Sequence, residues 1–297
     1  MDGFALLGSH LGSPERKILS APQIRKLTAA MAGAGILSGD RSLQQEDLLS
    51  LGCGPELSDR ILELLSQQEQ LKAYLREGER LGCHLLTRGE EAYPLFLRRR
   101  LGGESPCCLF YKGDHKLLQK PAVALVGSRD LNPSNRAFAR EAGRQAAIHG
   151  LTLVSGNARG ADRTAQEACL EAGGTVISVV ADELCTKSEH PRMLYLSLED
   201  FDAPFSSPRA LSRNRVIHSP GLMTLVAQCS LETGGTWSGT TQNLRHGWSL
   251  VACFRDGSPA SLALEARGAY LLETEDLSRL TKIEDPQLNL FEDPLKP

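Results

Sequence analysis

The chain has 297 residues, 41% of them apolar and 23% charged, with a formal net charge of −3. These proportions exclude a collagen-like or wholly disordered chain, and the length suits one large domain or two ordinary ones. Its longest apolar runs, such as AVALV at 122–126, are too short to span a bilayer, and its net charge gives no bulk attraction for nucleic acid.

The opening MDGFALLGSH has no basic segment before its apolar stretch, so no signal peptide is expected and the expected location is the cytoplasm. Residues 1–85 read as a small, Leu-rich helical domain. LSAPQIRKLTAAMAGAG (19–35) is a helix closed by glycine, and 47–82 reads as two helices broken at Gly52-Cys53-Gly54-Pro55. That break fits either a helix–hairpin–helix, which offers backbone amides to a phosphate, or an ordinary helical bundle. Residues 86–115, punctuated by Pro and Gly, read as a connector; within them the run Arg98-Arg99-Arg100 reads as a solvated turn.

From 116 to 281 the period changes. PAVALVGSR (121–129), LTLVSGNARGAD (151–162), TVISVVAD (175–182), LMTLVAQCS (222–230) and SLVACF (249–254) are apolar strands, the first two running into glycine loops. Helices are expected at 135–150, 163–174, 240–247 and 258–269, with YLLE (270–273) and a short EDLSRL helix after them. Strands that are apolar throughout and alternate with helices predict a parallel sheet covered on both faces. The fold class is therefore α/β, a Rossmann-like doubly wound sheet preceded by a small helical domain. The stretch from 282 to 297, with two Lys and four acids, is expected to be a flexible acidic tail.

Ligands of such sheets bind outside the C-terminal strand ends. Three loops there, at 127–129, 155–162 and 234–240, carry Gly with Ser or Thr and are expected to open helices, an arrangement that presents backbone N–H groups to an anion. Ser128, Ser155, Ser238 and Thr240 would add hydroxyls, Arg129 and Arg159 charge, and Arg213-Asn214-Arg215 a further basic element. Basic residues are 24 Arg against 9 Lys, and Arg suits bidentate phosphate contact. Arg136, Arg140 and Arg144 read as a solvated helix face. A phosphate-binding cleft is the expectation.

Other chemistries fit less well. The first loop has no GxGxxG, and the chain has no GxxxxGK[ST], no GxSxG and no HExxH. None of the eight cysteines is spaced as CxxC, so reduced thiols without metal are expected, and Cys107-Cys108 receives no role. His149 and His246 fall at helix C-termini, where the dipole favours a cation. Asp162 reads as a helix cap, with a general base as the alternative; Glu232 stays open. No catalytic residue, metal or cofactor is assigned.

VALVGSR (123–129), LVSGNARGAD with RTAQEACLEAGGT (153–175), SRNRVI (212–217) and SGTTQNLRHG (238–247) resemble the DprA/Smf family of DNA-processing proteins in order and spacing. The likeness covers roughly 85–280 and includes the Tyr-Pro of EEAYPLFLRRRLGGESPCCLFYKGD. It implies an extended Rossmann fold without turnover that binds single-stranded DNA in recombination or natural transformation, loads a RecA-type recombinase and forms a homodimer. Carried over, Gly127, Ser128 and Arg129 match the family's first loop, and Ser155, Gly156, Arg159, Gly160 and Asp162 its second. Arg213, Asn214 and Arg215 match its Arg-Asn-Arg, and Ser238, Gly239 and Thr240 its Ser-Gly-Ser/Thr loop. The chain departs from the pattern at ADELCTKSEHPRMLY (181–195) and at Trp248, and no C-terminal winged helix is expected.

Gln287-Leu288-Asn289-Leu290-Phe291 resembles the QLxLF peptide that binds the bacterial replicative sliding clamp. Leu288, Leu290 and Phe291 would be apolar anchors and Gln287 a polar contact. An amphipathic end folded back on the domain is the other reading. For the whole chain, the alternative function is a nucleotide sensor or a nucleotide-processing enzyme on the same scaffold. GGTWSGT (234–240) is similar to a phosphoribohydrolase Gly-Gly-x-Gly-Thr, but Gln242 and Asn243 stand where the hydrolase Glu belongs.

Overall fold

In the computed structural model the described residues are 2–36 and 42–282. The sliding-clamp-like peptide at 287–291 and nearly all of the acidic tail lie outside them. The chain divides into two compact units. The first comprises Met1–Gly113, Ala181–Glu189 and Tyr195–Arg209; the second comprises Asp114–Val180, His190–Leu194 and the chain from Ala210 on.

The first unit begins with five helices, α1 (Asp2–Gly8), α2 (Ala21–Gly33), α3 (Gln45–Ser50), α4 (Pro55–Ser66) and α5 (Gln68–Arg80). Where the sequence suggested two helices over 47–82 there are three, because the chain turns again at Gln67, with φ −85° and ψ 38° and neither Gly nor Pro to signal it. Gly52 has φ +81°, and Gly54 caps α4, whose first turn carries Glu56. Residues 86–115, read as a connector, fold instead. They hold the end of β1 (His84–Thr87), α6 (Leu95–Leu101) and β2 (Cys108–Gly113), and β1 pairs antiparallel with β2. The Arg98–Arg100 run lies within α6, and Arg98 bonds back to the Glu90 carbonyl at 2.9 Å. Leu7, Ile24, Leu27, Leu48, Ile61 and Leu64 form the core together with Cys107 and Cys108. The adjacent cysteines are thus core residues, and burial pushes the Cys107 thiol up to about 11.

The second unit carries β3 (Ala122–Val126), α7 (Pro133–Ile148), β4 (Thr152–Ser155), α8 (Ala161–Glu171) and β5 (Thr175–Val179). After β6 (Met193–Ser197) and α9 (Ser207–Ser212), which straddle the division between the units, come α10 (Asn214–His218) and β7 (Met223–Val226). Then follow α11 (Gly234–His246), β8 (Leu250–Phe254), α12 (Pro259–Glu265) and β9 (Tyr270–Leu272). The six strands β5-β4-β3-β7-β8-β9 are all parallel, in the order 3-2-1-4-5-6 of the doubly wound Rossmann sheet. Every residue of β3, β4 and β7 is buried, which is why their apolar runs were legible.

Helices α7 and α8 meet backbone to backbone. A Cβ on Gly143 would lie 2.0 Å from the Ala165 carbonyl oxygen, so only glycine permits this approach. A buried polar group braces the other half of the sheet. Asn243 of α11 donates to Thr224 Oγ1 and Ser249 Oγ and accepts from the Ser249 amide at 2.9 Å. His218 joins this group through Thr224 Oγ1, and complete burial pulls its pKa down to about 3. Among the described residues no helix is long and apolar enough to cross a membrane.

Candidate functional site

The strand order reverses between β3 and β7, because β4 and β5 lie to one side of β3 and β7, β8 and β9 to the other. The crevice at such a reversal, above the C-terminal strand ends, is where open α/β sheets bind ligands. The loops after β3, β4 and β7 all open there.

Gln228, directly beyond β7, organises the first loop. Its carbonyl accepts the Ser128 amide at 2.9 Å and the Ser128 hydroxyl at 3.3 Å, and its side-chain oxygen accepts the Asn132 amide at 2.9 Å. Gly127 is a glycine because a Cβ there would sit 2.5 Å from that of Ala161. Behind the loop, Asn135 of α7 donates to the Ala227 carbonyl at 2.8 Å and to Asp256 at 2.7 Å. Sequence reasoning missed Gln228 and Asn135, since neither sits in a motif and their partners lie about a hundred residues away.

The second loop, after β4, is held to the first. The Ala161 amide donates to the Ser128 carbonyl at 3.1 Å. Gly160 has φ +88°, and a Cβ there would meet the Ser128 and Arg129 carbonyl oxygens at 2.4 Å. Asn157 also stands in the left-handed region, at φ 59°, one residue after Gly156. Such a backbone is uncommon outside glycine and tends to persist where surrounding structure enforces it. Here Asp162 enforces it. Its Oδ2 accepts the Gly156 amide at 3.0 Å and the Ala158 amide at 3.2 Å. Asp162 was read as a helix cap, but Gly160 is the N-cap of α8 and the Asp162 carboxylate reaches back into the loop. Burial raises the Asp162 pKa, opposed by Arg213 and by the two amides.

Arg213 is buried beneath this loop and donates to the Val179 carbonyl at the end of β5. A Cβ on Gly156 would lie 2.0 Å from its guanidinium, so Gly156 makes room for Arg213. Asn214 donates to the Gly235 carbonyl at 3.0 Å and ties α10 to the first turn of α11. Arg215 is half-buried.

The third loop differs from expectation. Helix α11 begins at Gly234, so Ser238, Gly239 and Thr240 lie inside it and not in the loop before it. Thr233 is the N-cap, and the amides at the helix mouth are those just after it. Gly239 is a packing glycine: a Cβ would come within 2.9 Å of His218 Nε2 and 3.1 Å of Asn214. Thr240 is wholly buried. Ser155 is too, and its hydroxyl accepts from Gln166 at 2.5 Å. Glu232 is exposed at φ 55°.

The sequence-derived residues therefore sort by exposure. Arg129 and Arg159 reach solvent, Ser128, Arg215 and Ser238 are half-buried, and Ser155, Gly156, Gly160, Arg213, Gly239 and Thr240 form the frame beneath. Arg159 pairs with Asp130 across the two loops at 2.8 Å, with both side chains largely exposed. The surface so formed projects the exposed guanidinium groups of Arg129 and Arg159 from two loops whose amides at Ser128, Gly156, Ala158 and Ala161 are bonded within the protein. It is suited to holding an anion, and its one buried carboxylate is already engaged. Among the described residues no group of three His, Cys, Asp or Glu is placed to hold a metal ion.

The family model for DNA recombination-mediator protein A matches residues 84–277. Protein Smf of Escherichia coli is 30% identical over 165 residues, which cover 51% of this chain and 43% of that protein. The DNA processing protein DprA of Streptococcus pneumoniae is 41% identical over 81 residues, 27% of this chain and 28% of that one. The chain thus spans less than half the length of the curated relatives it matches. Among solved structures, DNA processing protein A from Streptococcus pneumoniae superposes with a TM-score of 0.73 at 23% identity, covering 91% of this chain and 96% of that one. DNA processing protein A from Helicobacter pylori, solved for its single-stranded DNA binding mode, gives 0.56 at 22% identity, covering 67% and 96%. At these identities the structural likeness carries the fold.

Proposed function

Since the chain belongs to the DNA recombination-mediator protein A family, we propose that it binds single-stranded DNA through phosphates held over the β3 and β4 loops, without catalysing a reaction. One observation carries the reading. Two glycine loops are locked together at the strand-order reversal, with Arg129 and Arg159 projecting from them into solvent. Phosphate contacts position a nucleic acid irrespective of its sequence, and guanidinium groups with backbone amides are the groups that make them. The buried titratable groups support a binding role. Asp162 is spent on loop amides, and His218 is enclosed within the fold and held neutral.

On this reading the partners are single-stranded DNA, a RecA-type recombinase and a second copy of the chain. A sliding clamp would bind through Gln287, Leu288, Leu290 and Phe291.

The test is fluorescence anisotropy of a labelled oligo-dT across a salt series. Binding should weaken with salt, with a log–log slope of about −0.7 for each phosphate neutralised. Arg129→Ala and Arg159→Ala should each lower affinity and flatten that slope. Absence of binding at low salt defeats the reading and turns attention to nucleotide ligands. Wild-type behaviour in both variants defeats the site assignment.

A further inference from the structure

The arginines of α7 and α8 are not electrically equivalent. Arg140 pairs with Glu171 at 2.7 Å, and Arg144 with Glu141 at 2.6 Å, so the later turns of α7 are neutralised. The first turn of α7 is not, and the carboxylate in the first turn of α8, Asp162, is buried and turned to the loop amides. Arg136 is exposed, and among the described residues its guanidinium meets only the neutral hydroxyl of Thr164, at 3.5 Å. Arg163 is exposed, and its Nε meets the Asn157 carbonyl at 3.4 Å. Among the described residues neither arginine forms an ion pair. Helix α7 carries no acidic residue in its first turn, so its N-terminal partial charge adds to the same field. Exposed Glu167 lies one turn beyond Arg163, and Asp130 is already engaged with Arg159.

The two helices also pack closely. Gly143 lies against the Ala165 backbone, and the link from Arg136 to Thr164 places Arg136 beside the residue that follows Arg163. Two under-compensated guanidinium groups therefore flank the α7–α8 seam, and Arg163 reaches the backbone of the glycine loop at Asn157. Arginine is the side chain suited to bidentate phosphate contact.

We propose that Arg136 and Arg163 form a second phosphate subsite for single-stranded DNA, carrying the strand from the glycine loops over the N-terminal turns of α7 and α8 and ending before Arg140. This inference rests on the single-stranded DNA reading above. It makes the bound strand longer than the loops alone would hold.

The experiment is anisotropy on the full chain with dT oligomers of about 6 and about 16 nucleotides, within the range of single-strand site sizes. The variants are Arg136→Gln with Arg163→Gln, and Arg140→Gln as the control for a neutralised position. The double variant should bind the long oligomer about tenfold more weakly at low salt, with a salt slope shallower by about 1.4 for two lost contacts. Binding of the short oligomer, and of both oligomers by Arg140→Gln, should match wild type. Wild-type affinity and slope in the double variant on the long oligomer would overturn the subsite. So would an equal loss in Arg140→Gln, which would reduce the effect to net charge. A wild-type chain that binds neither oligomer fails at the earlier reading instead, and the subsite falls with it.

Discussion

Replacing Gly160 by Ala tests whether the two loops are held as one piece. The new Cβ would begin 2.4 Å from two carbonyl oxygens, those of Ser128 and Arg129. Both belong to backbone, so one loop must retreat by about 0.6 Å to reach even 3.0 Å, the lower limit of real Cβ contacts. The residue would also carry φ +88° and ψ −121°, a conformation left to glycine. That strain costs about 1–3 kcal/mol. Retreat of the loop breaks the bond from the Ala161 amide to the Ser128 carbonyl, worth about 1 kcal/mol. The expected destabilisation is about 2–4 kcal/mol, read from urea unfolding. Gly150→Ala is the matched control, because Gly150 has φ +67° with nothing within 4 Å of its Cβ. It should cost about 1–2 kcal/mol from conformation alone. In anisotropy, Gly160→Ala should weaken oligo-dT binding about tenfold, while Gly150→Ala leaves it unchanged. Equal destabilisation by the two variants, with unaltered DNA affinity, would refute the claim that close approach at Gly160 shapes the site.

Further outcomes follow from the same geometry. Asp162→Ala strips two loop amides of their acceptor and leaves Arg213 buried without its carboxylate, so unfolding should be easier by about 3 kcal/mol in the same urea assay, and a change below about 1 kcal/mol would show that the loop has other support. His218 has its pKa pulled down to about 3 by burial, so the unfolded chain takes up a proton that the folded chain refuses. Its share of stability is present above about pH 6.5 and is lost as pH falls towards 3, with a slope of up to about 1.4 kcal/mol per pH unit. His218→Gln should flatten that part of the pH–stability curve; an unchanged slope would mean that the imidazole protonates within the fold. Asp130→Asn frees Arg159 from its exposed partner and removes a negative charge from the loop, so oligo-dT affinity should rise about threefold at low salt and converge with wild type at high salt. A lower affinity would show that the carboxylate positions Arg159.

The amino-acid sequence by itself determined the doubly wound half of this protein. AVALV, TLVS, TVISV, MTLV and LVACF are buried on both faces in a parallel sheet, so they hold only apolar residues and small hydroxyl residues such as Thr152, Ser155 and Ser178, and such runs are readable one at a time. The glycine loops were readable for a similar reason, since the punctuation is local. Strands β1, β2 and β6 were not legible, because they mix buried with exposed or half-buried residues in short segments that carry no single period. What each site residue does was decided only by tertiary structure. Gly239 looked like a loop glycine and proves to be where α11 meets His218 and Asn214. Arg213 looked like a phosphate ligand and lies buried under Gly156, bonded to β5. Gln228 carried no signal at all, yet it sets the first loop through bonds to Ser128 and Asn132. Local pattern records burial and backbone freedom, which each residue meets on its own. Pairing across a hundred residues comes into being only when the strand order brings β3 beside β7.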